Sequence, residues 1–223
     1  MLSSTSKAIR LIMHLRKMGI ADTNVLSAIE RVPRDAFVPE TQKDQAWEDI
    51  ALPIGRGQTI SQPYVVAIMT QALELNDMDK VLEIGTGCGY QAAVLARIAR
   101  RVYTIERHKP LLEEAEKRFA ALGIRNITAI CADGMKGWPK INGMEQAPFD
   151  KIIVTAAARK APPEALLNQL KPGGILVIPV GEPGSQMLKR YERFSDDTWS
   201  VSDICPVRFV PLLPDIAPDE EAA

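Results

Sequence analysis

The sequence predicts an α/β fold whose core is a doubly wound, mostly parallel β-sheet. Short apolar runs alternate along the chain with segments whose apolar residues recur at helical spacing. This alternation is typical of strand-helix-strand units with right-handed crossovers, which place helices on both faces of a parallel sheet. Near the end, the runs 186–194 and 198–204 flank the turn-forming Ser195-Asp196-Asp197, and they predict an antiparallel hairpin at the sheet edge.

Two short helices are predicted before the sheet. The run Asp22-Thr23-Asn24 supplies a capping residue for the second helix, and Pro33 ends it. The apolar stripes of the two helices are expected to be buried, and they consist of Ile9, Ile12, Met13 and Ile20, and then of Val25, Leu26 and Ile29.

The segment 35–63 has neither a helical nor a strand period, and we predict that it is irregular. Long irregular segments inside compact proteins commonly bind or cover something, so residues 51–63 form a candidate substrate region. After a helix that begins near Pro63, strands are predicted at 80–84, 101–105, 127–131, 151–154 and 175–180, with helices after the first, second and fourth of them.

Composition narrows the classes of partner. The 27 basic and 28 acidic side chains give a formal net charge of −1, so no overall field attracts nucleic acid or an anionic membrane. The three cysteines lack the spacing of a zinc site or a disulfide framework. Charged residues interrupt the apolar residues of 1–22, and no run approaches the about 18 apolar residues of a membrane span. We expect a cytoplasmic protein without a metal, nucleic-acid or membrane partner.

The most informative stretch is 81–90, where an apolar run turns into glycines at every second position. Gly85, Gly87 and Gly89 predict a tight loop after a buried strand. Tyr90 stands where the dinucleotide fingerprint requires its third glycine, so the loop departs from the pattern that cradles a pyrophosphate. The loop therefore suits a nucleoside-like ligand without phosphates.

Acidic residues at successive strand ends narrow the ligand further. Glu106 closes the second strand, where a Rossmann-like fold binds a ribose diol, and Asp133 follows the third strand, where it can accept from an adenine amino group. Taken alone, Glu106 is more typical of a solvated strand end than of a ligand, and Asp133 is equally consistent with a turn former. With the glycine loop they indicate S-adenosylmethionine, and the candidate cofactor residues are Glu83, Gly85, Thr86, Gly87, Gly89, Glu106, Arg107, Asp133 and Gly134.

Five segments resemble, in the same order, the protein-L-isoaspartate O-methyltransferase family. They are RVPRDAFVP at 31–39, LPIGRGQTISQPY at 52–64, LEIGTGCGY at 82–90, IIVTA at 152–156 and RFVPL at 208–212. Together they extend over nearly the whole chain apart from its termini. The likeness departs from the usual family pattern at Cys88, where Ser is usual, and at Ala132, where Gly is common; both changes exchange one small residue for another.

The resemblance implies that the methyl group of S-adenosylmethionine is transferred to the free α-carboxylate of L-isoaspartyl residues in damaged proteins and peptides. The resulting ester collapses to a succinimide, which begins repair. The family's active-site serine maps onto Ser61, whose hydroxyl orients the acceptor carboxylate. The substrate-binding residues implied around it are Gln58, Thr59, Ile60 and Gln62. An ionised carboxylate is already a nucleophile, so it needs alignment rather than a strong base.

The expected organisation is a single methyltransferase domain over residues 1–213. Residues 1–63 contain the N-terminal helices and the substrate loop, and residues 64–213 contain the cofactor-binding core and the hairpin. Residues 214–223 are acidic and poor in apolar side chains, and we expect a mobile tail. Two other functions stay open: a methyltransferase for a small-molecule acceptor, and a non-catalytic module that binds altered peptides.

Overall fold

The computed structural model describes residues 4–195 and 198–218. Its N-terminal part contains two helices, a small hairpin and a third helix. In chain order these are α1 (Ser4–Lys17), α2 (Thr23–Arg31), β1 (Leu52–Gly55), β2 (Gln58–Ile60) and α3 (Pro63–Ala72), with 3₁₀ turns at Arg34–Phe37 and Glu40–Gln45. The predicted helices are therefore confirmed. The segment 35–63 is more regular than predicted, because β1 and β2 pair antiparallel within it.

Helix α1 buries a different face from the predicted one. Ile9 is 47% exposed and Met13 is 56% exposed, whereas Leu11 and Leu15 are buried. The two possible apolar stripes overlap on this helix, and contact with α2 and α3 selects the one that contains Leu11. The prediction for Ile9 and Met13 was wrong, while that for Ile20, which follows the helix, is confirmed.

A seven-stranded sheet forms the centre of the described part of the chain. Its strands are β3 (Lys80–Ile84), β4 (Arg101–Glu106), β5 (Ile127–Cys131), β6 (Phe149–Val154), β7 (Leu170–Glu182), β8 (Ser185–Arg193) and β9 (Trp199–Val207). The helices that accompany them are α4 (Tyr90–Leu95), α5 (Lys109–Ala121) and α6 (Glu164–Asn168).

The strand order β5-β4-β3-β6-β7-β8-β9 confirms the predicted doubly wound sheet. The five strands β5, β4, β3, β6 and β7 are parallel to one another, and β8 and β9 add an antiparallel hairpin. The chain leaves β3 toward β4 and later returns to its other side as β6, so the order reverses at β3. Ligands of open α/β sheets bind beyond the carboxyl ends of the strands at such a reversal. Asp196 and Asp197 of the predicted turn lie outside the described residues.

Both faces of the sheet are covered by apolar side chains. Val81 and Val102 pack on the side of α4 and α5, while Leu82 and Ile152 pack on the side of α6. Burial on two faces explains why these strands read as continuous apolar runs rather than as alternating patterns. No described helix is long and apolar enough to cross a bilayer.

The described part of the predicted tail, residues 214–218, lies against the ends of β4 and β5. The Arg107 side chain donates to the carbonyls of Pro214 and Asp215, and the Ala217 amide donates to the Arg107 carbonyl at 2.9 Å. Residues 219–223 lie outside the described residues. The mobility of the tail and the single-domain division stay predictions.

Candidate active site

A cavity of about 1070 Å³ opens beyond the carboxyl ends of the central strands. The loops that follow β3, β4 and β6 form one side of it, and the segment 57–62 forms another. A further wall consists of residues 184–187, at the start of the hairpin, and residues 205–213, at the end of β9 and beyond it. One volume therefore connects the predicted cofactor loop with the predicted substrate region.

Most of the predicted site residues line this cavity. The substrate-side residues at its wall are Gln58, Thr59, Ile60, Ser61 and Gln62, and the cofactor-side residues are Gly85, Thr86, Gly87, Glu106, Arg107 and Gly134. Glu83, Gly89 and Asp133 are not among the residues that line it. Their roles, and those of the lining residues, stay predictions.

The glycine loop has a backbone that side chains rarely permit. Gly85, Gly87 and Gly89 have φ values of 98°, 53° and 91°, which lie in the left-handed region. A Cβ on Gly89 would lie 2.6 Å from the Phe119 ring, so the loop and α5 approach too closely for any larger residue. At Gly87 the nearest atom to such a Cβ would be Cδ1 of Ile54 in β1, at 3.4 Å. The β1-β2 hairpin therefore packs against the cofactor loop.

Glu106 holds the glycine loop and the start of the next helix together. Its Oε2 accepts from the Gly87 amide at 2.8 Å, and its Oε1 accepts from the His108 amide at 2.9 Å. Each carboxylate oxygen has a second lone pair, and the residue lines the cavity. The buried carboxylate is thus oriented by two backbone donors and can still accept from two hydroxyls of a ribose diol.

Glu83 lies under the loop in a buried polar chain. Thr104 Oγ1 donates to Glu83 Oε2 at 2.5 Å and lies 2.6 Å from Thr86 Oγ1. Glu83 Oε1 is buried without a hydrogen-bond partner in the described residues. Burial raises the pKa of Glu83 from 4.5 to about 8, the charge of Glu106 raises it as well, and the Thr104 hydrogen bond opposes both. Thr86, at the other end of this chain of hydrogen bonds, is at the cavity wall.

The raised pKa of Glu83 predicts a pH-dependent stability. Between pH 4.5 and about 8 the unfolded chain ionises Glu83 while the folded chain keeps its proton, so stability falls by about 1.4 kcal/mol per pH unit as pH rises through this window. We expect Glu83→Gln, which retains an oxygen acceptor for Thr104, to remove this slope. Urea unfolding of both proteins at pH 5, 6, 7 and 8 measures it. The exposed Glu116→Gln is the matched control, and a Glu83→Gln protein that kept the wild-type slope would contradict the prediction.

Asp133 is held by partners that the sequence did not indicate. Burial opposes its ionisation, but the Asp215 and Met135 amides and the Lys136 ammonium outweigh burial and lower the pKa of Asp133. The Met135 amide donates to its Oδ1 at 2.9 Å, and Lys136 Nζ lies 3.2 Å from its Oδ2. Asp133 is therefore ionised and can still accept hydrogen bonds. An adenine amino group that bound there would share the carboxylate with the Asp215 amide.

The segment around Ser61 is anchored by side chains that sequence reasoning missed. Asp49 accepts from Gln62 Nε2 at 2.9 Å and from the Tyr64 amide at 2.7 Å. Arg34 donates to the Ser61 carbonyl at 2.8 Å. Both anchors precede the β1-β2 hairpin in the chain, and only folding brings them to it. Sequence reasoning could have singled out Arg34 because it lies in 31–39, one of the five segments that resemble the family.

The His, Cys, Asp and Glu side chains of residues 4–195 and 198–218 do not gather in threes as a metal site requires. Cys88 and Cys205 are free thiols in the structure. Burial raises the pKa of Cys88, which favours its neutral form within the glycine loop.

Comparison with known proteins agrees with this geometry. The sequence model of the family described as Protein-L-isoaspartate(D-aspartate) O-methyltransferase (PCMT) matches residues 6–216. The chain is 56% identical over 222 residues to a protein-L-isoaspartate O-methyltransferase of Rhodospirillum centenum, covering 100% of this chain and 98% of the relative. It is 58% identical over 216 residues to one of Paramagnetospirillum magneticum, covering 96% and 97%.

A solved structure supports the same assignment. A protein-L-isoaspartate O-methyltransferase superposes with a TM-score of 0.83 at 29% identity, over 94% of this chain and 67% of its own. The predicted resemblance is thereby confirmed. The family model matches most of the chain, and the relatives are highly identical to it over nearly their whole length. One cavity also connects the glycine loop with the segment around Ser61. The chain therefore belongs to the protein-L-isoaspartate(D-aspartate) O-methyltransferase family.

Proposed function

We propose that this protein transfers the methyl group of S-adenosylmethionine to the free α-carboxylate of L-isoaspartyl residues in damaged proteins and peptides. The observation that carries the proposal is the single cavity in which the glycine loop and the segment around Ser61 face each other. Membership of the family supplies the expected acceptor, and relatives at 56% and 58% identity carry the name of this activity.

The residues present fit the cofactor. The carboxylate of Glu106 retains an acceptor position on each oxygen, which suits a ribose diol. Gly85 and Gly87 line the cavity without side chains of their own, so the backbone there can approach a nucleoside. When bound, S-adenosylmethionine supplies a methyl group made electrophilic by its sulfonium.

On the acceptor side, this chain's residues orient the isoaspartyl carboxylate and align it with the methyl group. The Ser61 hydroxyl donates a hydrogen bond to one oxygen of the isoaspartyl carboxylate, which leaves the other oxygen as the nucleophile. That carboxylate is ionised at neutral pH, so no side chain has to remove a proton from it. Holding it in line is the principal task of the protein, and correct alignment is worth several orders of magnitude in rate. The methyl ester then closes to a succinimide with loss of methanol, without further help from these residues.

A pair of peptides tests the proposal. Wild-type protein with methyl-labelled S-adenosylmethionine is expected to label an isoaspartyl peptide and to leave the peptide of the same sequence with a normal aspartyl linkage unlabelled. Base-labile methanol release identifies the product as an ester. Equal labelling of the two peptides, or of neither, would refute the acceptor assignment.

The two alternatives give different outcomes in the same assays. A methyltransferase for a small acceptor binds S-adenosylmethionine in calorimetric titration but labels neither peptide. A non-catalytic module retains the isoaspartyl peptide without turnover. We also propose a cytoplasmic location, where the free thiols of Cys88 and Cys205 stay reduced, and cell fractionation tests it.

A further inference from the structure

Arg34 is a completely buried cation next to the segment around Ser61. It begins the 3₁₀ turn Arg34–Phe37, and none of its surface is exposed. Its Nε donates to the Ala46 carbonyl at 2.8 Å, and its Nη2 donates to the carbonyls of Ile50 at 3.2 Å and Ser61 at 2.8 Å. One planar side chain thus binds carbonyls that lie 12, 16 and 27 positions further along the chain.

The Ser61 contact matters most for the site. Ser61 follows β2 directly, and its side chain is at the cavity wall. Because Arg34 holds the carbonyl of the same residue, it limits rotation of the peptide unit that follows Ser61. The position of the Ser61 hydroxyl therefore depends on a side chain that does not line the cavity.

The other face of Arg34 contacts the cofactor side. The Cζ atom lies 4.8 Å from the centroid of the Tyr90 ring, a cation-π contact. Tyr90 is the first residue of α4 and directly follows Gly89 of the glycine loop. Phe37, at the end of the same 3₁₀ turn, packs edge-on against that ring at 5.5 Å. Arg34 thereby connects the loop on one side of the cavity with Ser61 on the other.

Burying this cation is costly, and packing alone does not require it. Its three hydrogen-bond acceptors are neutral carbonyls, and Nη1 has no hydrogen-bond partner in the part of the chain that the structure describes. The charge of Asp49 acts on Arg34 without a direct ion pair, and a buried ion without a paired carboxylate is destabilising compared with an apolar residue of similar volume. What a flexible apolar side chain cannot supply is the rigid fork of donors that fixes three carbonyls at set distances.

We propose that Arg34 is a positioning residue for methyl transfer, setting the distance between Ser61 and the cofactor loop through the Ser61 carbonyl and the Tyr90 ring. The inference rests on the proposed function for its kinetic consequence. Its structural consequence, a fixed segment 58–64, does not depend on the identity of the acceptor.

The test compares Arg34→Lys and Arg34→Met with the wild type. Arg34→Lys keeps the positive charge but loses the planar fork of N–H donors. Arg34→Met keeps a long side chain of similar volume but has no hydrogen-bond donor. We expect kcat on an isoaspartyl peptide to fall by about 10-fold to 100-fold, more in Met than in Lys, because misalignment of about 1 Å costs up to about 100-fold in rate. S-adenosylhomocysteine affinity should stay within about threefold of wild type. The exposed Arg31→Met, at the end of α2, is the matched control and should leave both quantities unchanged.

Amide hydrogen exchange supplies a readout independent of activity. In the folded Arg34→Lys protein, exchange should become faster at 58–64 and stay unchanged at 85–90. Unchanged kcat, unchanged exchange at 58–64, or a parallel loss of cofactor affinity, kcat and melting temperature would each overturn the inference. If wild-type protein labels no isoaspartyl peptide, the proposed function fails, and the exchange result alone still decides whether Arg34 positions the segment.

Discussion

Ser61→Ala is expected to lower kcat for an isoaspartyl peptide by about 100-fold, because the acceptor carboxylate loses the donor that orients one of its oxygens. S-adenosylhomocysteine affinity should not change, since the glycine loop and Glu106 are untouched. Saturating both substrates in a steady-state assay separates kcat from KM. The backbone should also persist, because Arg34 contacts the Ser61 carbonyl and not the hydroxyl.

Ser202→Ala is the matched control for this experiment. Ser202 is exposed on β9, and the same hydroxyl is removed there without contact with the cavity. A Ser61→Ala protein with wild-type kcat would remove Ser61 from the mechanism. A Ser61→Ala protein with weakened cofactor binding would show instead that the serine supports the cofactor side.

Glu106→Ala is expected to weaken S-adenosylmethionine binding by about 10-fold to 100-fold. This range corresponds to a net loss of about one hydrogen bond to a charged acceptor, which contributes about 1.5–3 kcal/mol. The carboxylate also holds the Gly87 and His108 amides. Glu106→Gln should fall between alanine and wild type, because it keeps one oxygen acceptor but loses the charge and one acceptor oxygen. Calorimetric titration with S-adenosylhomocysteine measures the affinity without turnover.

Glu116→Ala controls for the removal of an acidic side chain, since Glu116 is exposed on α5. Affinity equal to wild type in Glu106→Ala would contradict the ribose assignment. A large loss of melting temperature in Glu106→Ala together with intact affinity would assign the carboxylate to loop stability alone.

Local patterns predicted much of the fold and one side of the site. The parallel strands were recognisable because burial on both faces demands continuous apolar runs, and Gly85 to Gly89 were recognisable because their backbone excludes side chains. Glu106 could be predicted as well, since it ends a strand directly beside that loop. Ser61 was indicated by family likeness and not by its own chemistry, as an isolated serine before proline is also a helix cap.

Other parts of the site could not be read from local pattern. The cavity wall at 184–187 and 205–213 comes from the hairpin and the residues that flank it, and Asp133 receives the Asp215 amide from a segment predicted to be mobile. In α1, Ile9 and Leu11 are equally apolar, and packing against neighbouring helices decides which is buried. Each of these contacts joins residues far apart in the chain, so no window of sequence contains both partners.

By itself, the sequence determined the order of strands and helices, the glycine loop and the acids at strand ends, because backbone conformation and two-sided burial leave marks in consecutive residues. Only the tertiary structure decided that Glu83 lies beneath the loop with a raised pKa, and that Asp49 and Arg34 anchor the segment around Ser61. Burial and hydrogen-bond partners are properties of three-dimensional packing. The pKa of the Glu83 carboxyl group and the hydrogen bonds of the buried Arg34 guanidinium are therefore known only from the folded structure.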